Sequence, residues 1–431
     1  MSAASTDSCR CADEPHAPNQ SNVIKVLRNN RNLRLLFFAQ IISYLGDWFS
    51  YVALAGLISD VTGSKLLVSM LLVAFSLPSF LMSPLAGSAA DRFDRKRILI
   101  VVSMLQSVAA LGLLGAGPGR IWIAFAAQSV ISGLAAFVRP AIEAAVPNLA
   151  VDTDELNRAN ALFGSSWGVM LAVGASLGGA FSAAFGRNAA FIADAVSFVI
   201  ATGLVLFVRG AMQETRDHLI GRRIRPLADM AEALSQARRD PVLLALLTSK
   251  ATFAVGAGVV SQLAVLASDV FHGGDGARGV MIGARGVGAG LGPIIAARYV
   301  GKDLSRVLWI CGVASCGFAA CYAAAAWSPY LLLAAAFIAL AHLGGGAQWT
   351  LSTYGLQVRS ADGMRGRILA GDFALVTLML AITSALAGVV SQAVGVRWAI
   401  TVFAAAAGLA SAVYMLATRQ LRRRLQMEPT A

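Results

Sequence analysis

Long stretches without a charged residue alternate with short charged turns along this chain. Asp, Glu, Lys and Arg are absent from residues 66–90 and from residues 98–119, and residues 91–97 between them carry six charges. About 20 consecutive apolar residues of helix cross the hydrocarbon core of a bilayer. The pattern therefore predicts two membrane-spanning helices joined by a charged turn.

The composition agrees with a chain that folds in lipid. Of the 431 residues 57% are hydrophobic and only 13% are charged, whereas about 25% are charged in an average soluble protein. The net charge of +12 does not indicate a nucleic-acid partner, because the basic residues are concentrated in particular loops between apolar runs. We expect a polytopic membrane protein whose surroundings are the lipid bilayer, with no nucleic acid bound.

Charges and turn residues divide the chain into twelve predicted spans. They run over about 34–59, 66–88, 98–117, 121–143, 161–185, 188–208, 242–268, 276–298, 305–326, 330–355, 371–394 and 397–417. Two sets of six spans on either side of a polar linker indicate two pseudo-symmetric halves, as in many transporters. The predicted fold class is therefore an all-α membrane protein with twelve transmembrane helices.

The domain organisation follows from these spans. We expect a disordered tail over 1–21, a six-helix half over 22–209, a linker over 210–240 with an amphipathic helix, a second half over 241–418 and a basic tail over 419–431. Lys and Arg are concentrated in the N-terminal segment, alternate loops, the linker and the tail. By the positive-inside rule both termini and the linker are cytoplasmic, which predicts a multi-pass protein of a bacterial cytoplasmic membrane.

The charged turn between spans 2 and 3 resembles the signature loop of the major facilitator superfamily (MFS), G-x-L-A-D-R-x-G-R-K. The matching residues are Gly87, Asp91, Arg92, Arg95 and Lys96, whereas Ala89 and Asp94 depart from the motif. The resemblance covers residues 22–420 and implies the MFS fold. It also implies that Asp91 and Arg95 help to latch the cytoplasmic ends of the two halves. The alternative is a loop that only sets membrane topology.

Other segments are similar to those of a narrower MFS subgroup, the exporters of macrolide and siderophore type. They lie at residues 27–40, 43–54, 147–162 and 238–247. Span 5 contains GASLGG, which resembles the family's antiporter motif G-P-x-x-G-G with Ala175 in place of Pro. This likeness implies ion-coupled export through Gly174, Gly178 and Gly179. Close helix packing by the same small residues is the alternative.

Charged residues inside spans are functional candidates because a charge in the membrane is costly. Our candidates for proton coupling are Asp47 in span 1, the pair Arg139 and Glu143 in span 4, and Lys250 in span 7. A low-dielectric cavity favours a neutral carboxyl group and a nearby cation favours a charged one. We therefore predict that Asp47 carries the proton and that Lys250 is its partner. A static ion pair, or a structural role for the span 4 pair, is the alternative.

The remaining intramembrane charges are assigned to structure. Asp194 and Arg285 lie outside the helices that line the cavity in the family, and Asp372 is placed to cap span 11. Bulky side chains on spans 1, 4, 7 and 10 are the candidates for an apolar substrate cavity. These are Tyr51, Phe137, Phe253, His342, Gln348 and Trp349. Packing inside the bundle is the alternative for each.

No catalytic or nucleotide-binding motif is present. A phosphate-binding loop, a metalloprotease His motif and a nucleophile elbow are all missing, and the Gly-rich segment 286–293 lies within a span. We therefore expect neither an enzyme nor a cofactor, metal or ATPase subunit. The predicted function is export of a small amphiphilic compound in exchange for protons. Uptake or facilitated diffusion is the main alternative, and a membrane enzyme or receptor a remote one.

Overall fold

The computed structural model describes residues 26–213, 235, 238–297, 303–360 and 362–427, and every regular element in these ranges is a helix. Twelve helices are long and apolar enough to cross a membrane, which confirms the predicted fold class. Each takes the number of its span: α1 (Arg31–Thr62), α2 (Lys65–Arg92), α3 (Arg95–Gly112), α4 (Trp122–Leu149), α5 (Thr153–Phe185), α6 (Arg187–Leu206), α7 (Pro241–Asp269), α8 (Asp275–Ala297), α9 (Leu304–Ala326), α10 (Leu331–Arg359), α11 (Asp362–Val394) and α12 (Val396–Ala417).

Two further features complete the helical pattern. The middle of α7 tightens into a 3₁₀ helix over Ala257–Gln262. The basic tail forms a short helix, α13 (Arg419–Met427), which packs against α9. The tail over 1–21, predicted to be disordered, and most of the predicted linker helix lie outside the described residues.

Capping side chains determine where several helices begin. Asn30 and Asp240 accept hydrogen bonds from the first-turn backbone N–H groups of α1 and α7. Asp152 does the same for α5, accepting from the Glu155 N–H at 2.7 Å. The segment 152–161 was predicted as a loop, but all of it beyond Asp152 belongs to α5. The cap explains this difference, because a capped polar turn extends the helix beyond the apolar run.

Helices α1–α6 and α7–α12 form two halves that meet along α5 with α8 and α2 with α11. Glycines allow the close approach of α8 to α5. A Cβ atom on Gly279 would lie 2.9 Å from the Gly179 Cα atom, and one on Gly286 would collide with the Ala172 backbone. Gly286 of the Gly-rich segment 286–293 therefore serves the packing of α8 against α5.

The bundle has two ends, which we name by the linker. At the linker end α6 ends and α7 begins, and the connections 93–94 and 150–152 and residue 360 lie at the same end. The opposite, or far, end carries the connections 63–64 and 270–274 and residue 395.

Candidate functional site

Four charged residues join the two halves at the far end. The Arg187 guanidinium of α6 contacts Asp60 of α1 at 2.6 Å and Asp275 of α8 at 2.9 Å. The Arg278 guanidinium of α8 contacts the same two carboxylates, at 3.2 Å and 2.6 Å. Each charge therefore has two partners of opposite sign. We call Asp60, Arg187, Asp275 and Arg278 the far-end network.

Further polar contacts between the halves lie on the same side of the bundle. Lys65 at the start of α2 pairs with Asp269 at the end of α7, with 3.0 Å between nitrogen and oxygen. The Gln262 side chain of α7 donates to the Ser69 hydroxyl of α2 at 2.8 Å. Within the described part of the chain, every ion pair between the halves lies at the far end.

Towards the linker end, large side chains from both halves are exposed to solvent. We call the region between them the central cleft and define it by Arg139, Glu143, Trp167, Trp349 and Phe373. Across it the Arg139 guanidinium lies 5.7 Å from the centre of the Phe373 ring. Among the described residues, ion pairs thus join the halves at the far end, and exposed side chains lie at their boundary towards the linker end.

Asp47, the predicted proton carrier, has a second carboxyl group as its neighbour. It is half-buried in α1 and interacts electrostatically with Asp194 of α6, which is completely buried. The helices touch here, since a Cβ atom on Gly46 would lie 2.6 Å from an Asp194 carboxylate oxygen. Neither Asp194 oxygen has a hydrogen-bond partner among the described residues. The site thus combines two carboxyl groups with no cation beside them in the described part of the chain.

Lys250 pairs with Asp372 of α11, so the predicted Asp47–Lys250 pair is wrong. Both side chains are less than 5% exposed. The Lys250 ammonium also donates to the Thr353 hydroxyl at 2.9 Å and lies 4.6 Å from the centre of the Trp349 ring. The predicted capping role of Asp372 is wrong as well, because α11 begins at Asp362, almost three turns earlier.

Arg285 of α8 lies between the two halves, and its predicted structural role stays a prediction. With Tyr51 of α1 it lines a pocket of about 10 Å³, which holds roughly one water molecule. Its guanidinium carbon lies 5.9 Å from the centre of the Trp167 ring of α5. The reason is the packing of α8 against α5, which turns this face of α8 towards the first half.

Two of the polar residues predicted for the cavity lie inside the second half. His342 is 3% exposed, and its Nε2 atom lies 2.7 Å from the Tyr322 hydroxyl. Gln348 is 1% exposed, donates to the Ser249 carbonyl at 2.6 Å and accepts from the Ser315 hydroxyl at 2.8 Å. In this conformation both side chains therefore already have hydrogen-bond partners within the protein.

The aromatic candidates divide between the cleft and the interior. Trp349 is 37% exposed at the cleft. Tyr51 is 8% exposed beside the small pocket. Phe137 is half-buried on α4, and the half-buried Phe253 ring lies 4.7 Å from that of Phe318. The structure therefore brings Tyr51 and Trp349 to the space between the halves and leaves Phe253 packed within its own half.

The signature turn binds the backbone of its own half. Arg95 donates to the carbonyl oxygens of Ala144 at 2.8 Å and Met212 at 2.9 Å. Lys96 donates to two carbonyl oxygens at the end of α6, one on its last residue and one two residues beyond it. Asp94, which replaces the motif glycine, caps α3 by accepting from the Arg97 N–H at 3.0 Å. The side chains of Gly87, Asp91 and Arg92 lie outside the described residues, so the latch stays a prediction.

The glycines of span 5 lie at close helix contacts. A Cβ atom on Gly174 would lie 3.0 Å from Trp48, and one on Gly178 would lie 2.8 Å from the Phe49 Cα atom, both on α1. A Cβ atom on Gly179 would lie 2.7 Å from the Gly279 Cα atom on α8. These contacts agree with the packing interpretation, and the antiporter role stays a prediction.

Comparison with known families and proteins adds to this geometry. A family model described as "Transmembrane secretion effector", within the MFS, matches residues 26–430. The MFS-type transporter YfiS of Bacillus subtilis is 26% identical over 51% of this chain and 52% of its own length. The multidrug efflux pump Tap of Mycolicibacterium fortuitum is 30% identical over 36% of this chain and 39% of its own. The chain thus spans about half, or less, of the length of these relatives.

Solved structures share the fold at low sequence identity. A bacterial homologue of the human lysosomal transporter Spinster, in an inward-facing and unoccupied conformation, superposes with a TM-score of 0.71 at 16% identity. That match covers 96% of this chain and all of the other. A POT family transporter superposes with a TM-score of 0.72 at 10% identity, over 91% and 97% of the two chains.

Proposed function

The chain belongs to the transmembrane secretion effector family of the MFS, and we propose that it exports a small amphiphilic compound across the bacterial cytoplasmic membrane. The compound would be a drug, an antibiotic, a siderophore or another natural product. Export would be driven by protons moving inward. The names of relatives such as the efflux pump Tap support outward transport.

One observation carries this proposal. Ion pairs join the halves only at the far end of the described structure, while the exposed side chains that define the central cleft lie towards the linker end. In the proposed orientation the basic linker and tail lie in the cytoplasm. The cleft would then receive its substrate from the cytoplasm. Rocking of the two halves would open the far end and close the linker end.

Asp47 is the group that we propose as the proton carrier. Asp194 is its neighbour, and no Lys, Arg or His of the described residues pairs with either carboxyl group. Two adjacent carboxyl groups disfavour double ionisation, so one of them readily holds a proton. Arg139 and Glu143, exposed in the cleft, would give protons a polar route to the linker end. Lys250, with Asp372, would respond to the change of state from within the second half.

Transport in inside-out vesicles tests the proposal. We expect vesicles that contain the protein to accumulate at least one of ethidium, tetracycline and pyrenebutyrate when a proton gradient, acidic inside, is imposed. Asp47→Asn should abolish the gradient-driven part. Asp303→Asn, an exposed helix cap that Asn can replace, is the matched control and should keep it. Unchanged accumulation by Asp47→Asn would exclude Asp47 as the proton carrier.

The direction of net movement separates this proposal from the alternative on the same fold. An uptake transporter would carry the probe out of preloaded inside-out vesicles together with protons. A facilitator would equilibrate the probe with or without a gradient. Either result would replace export as the function.

A further inference from the structure

Arg285 is a cation at the boundary between the two halves. It lies near the middle of α8, its side chain is partly exposed, and it lines the small pocket together with Tyr51 and Ser261. The Trp167 ring, 41% exposed in the cleft, lies beside the guanidinium. Arg285 also interacts electrostatically with Tyr322 of α9. Side chains from both halves therefore surround it.

Arg285 has no counter-ion among the described residues, unlike the buried cations Arg278 and Lys250. Arg278 contacts two carboxylates and Lys250 contacts one. No carboxylate of the described residues lies within 4.0 Å of Arg285, and its Nε atom has no hydrogen-bond partner there. A cation within a membrane protein normally pairs with another charged group or with backbone carbonyls. The guanidinium thus has unfilled capacity for an anion.

We propose that Arg285 binds an acidic group, a carboxylate, of the transported compound. A guanidinium presents planar paired donors that match a carboxylate, and such charged hydrogen bonds are stronger than neutral ones. The exposed rings of Trp167, Trp349 and Phe373 would contact the apolar body of the same compound. The cargo would therefore be an amphiphilic acid or zwitterion rather than a simple cation. This inference rests on the proposed transport function and specifies its substrate class.

A matched pair of probes tests the assignment in binding rather than transport. Binding of 1-naphthylacetate and its uncharged amide to the purified full chain in detergent is followed by tryptophan fluorescence and calorimetry. We expect the acid to bind roughly tenfold to a hundredfold more tightly than the amide, as for a charged hydrogen-bonded contact. Arg285→Gln should bind the two probes equally, while Arg120→Gln, which changes an exposed cation at the far end, should keep the preference.

Two results would overturn the proposal. One is equal affinity of the native chain for acid and amide, and the other is an intact preference in Arg285→Gln. If Arg285→Gln does not fold, Arg285→Lys decides, because it keeps the charge and loses the paired donors. In Arg285→Lys the preference for the acid over the amide should fall at least about threefold, while the affinity for the amide stays unchanged. An undiminished preference would overturn the proposal.

The experiment is independent of transport. It uses neither a membrane nor a gradient, so a chain that binds the acid selectively but moves nothing would contradict export and leave Arg285 as the anion site. A chain that exports ethidium and binds acid and amide equally would contradict the anion site alone.

Discussion

Ion pairs at the far end of the bundle join the two halves, whereas the described ion pairs of the linker end stay within one half. The far-end network and the Lys65–Asp269 pair connect α1, α2 and α6 to α7 and α8. At the linker end, Arg139 pairs within α4 and Lys250 pairs with a helix of its own half. In the rocking mechanism proposed above, the first group of pairs would break and the second would be kept.

Solvent exposure distinguishes the far-end network from the Lys250–Asp372 pair. In the far-end network Arg278 and Asp275 are almost fully buried, but the Asp60 side chain is 54% exposed and that of Arg187 is 24% exposed. Water therefore reaches the network and can hydrate its charged groups when the ion pairs separate. Lys250 and Asp372 are only 3% and 4% exposed, so breaking that pair would leave two charges without water. The buried pair suits a permanent contact, and the network suits a reversible one.

The largest effect should come from the buried pair at the linker end. Lys250→Met leaves Asp372 without its cation and should cost about 3–5 kcal/mol of stability, measured as unfolding of the purified protein in detergent. The double variant Lys250→Met/Asp372→Leu should recover most of this loss, because no charge is then left unpaired. A double variant as unstable as the single one would show that the pair does more than balance charge.

The far-end network should control conformation. Arg278→Gln removes hydrogen bonds to Asp60 and Asp275, each worth about 1.5–3 kcal/mol as a contact between charged groups. We expect the far end to open more often. The measurement is the labelling rate of Ser261→Cys, in a chain without its five cysteines, by a maleimide that cannot cross the membrane. Ser261 is 4% exposed and lines the small pocket between the halves.

The controls for this measurement come from both ends. Arg278→Gln should raise the labelling rate about tenfold or more, as a change of 1.4 kcal/mol or above implies. Arg120→Gln removes a cation at the same end that has no ion pair within the described structure, and it should leave the rate unchanged. Lys250→Met should also leave the rate unchanged. A tenfold rise in the labelling rate for Lys250→Met would contradict the distinction between ion pairs that close the far end and ion pairs that do not.

The glycine contacts between the halves should have a smaller effect. Gly286→Ala places a methyl group against the Ala172 backbone, and overpacking of this kind costs about 1–3 kcal/mol. Gly164→Ala on α5 is the matched control, since no atom lies within 4 Å of its Cβ position. The control should be neutral or slightly stabilising, because Ala favours helix more than Gly does. Equal thermal stability of the two variants would contradict the close approach of α5 and α8.

The sequence could predict the spans because charge-free runs report directly on contact with lipid. It could not predict the partner of Lys250, because Asp47 and Asp372 are both intramembrane carboxylates and only helix packing brings one of them near. It could not place Arg285 between the two halves for the same reason. Which face α8 turns towards α5 depends on glycine contacts that join residues 100 or more positions apart.

The sequence contains a signal for the far-end network, but the same residues also fit a prediction of membrane topology alone. Arg187 and Arg278 lie beside turns on the side opposite the linker, where the positive-inside rule predicts few cations. Asp60 and Asp275 lie at neighbouring helix ends, so opposite charges meet once the bundle forms. The proximity of α1, α6 and α8 at this end comes from tertiary packing.

The smallest effects should come from the exposed pairs, whichever end they occupy. Lys65 and Asp269 are 27% and 33% exposed between the halves, and Arg139 and Glu143 are 65% and 63% exposed within α4. Double-mutant cycles with alanine should give a coupling below about 1 kcal/mol for the first pair and about 0.3–0.5 kcal/mol for the second. Each variant is measured by its unfolding in detergent and by the labelling rate of Ser261→Cys. A coupling above about 2 kcal/mol for Lys65–Asp269 would show that an exposed pair also keeps the far end closed. In that case the position of an ion pair between the halves, rather than its burial, would determine whether it stabilises the closed state.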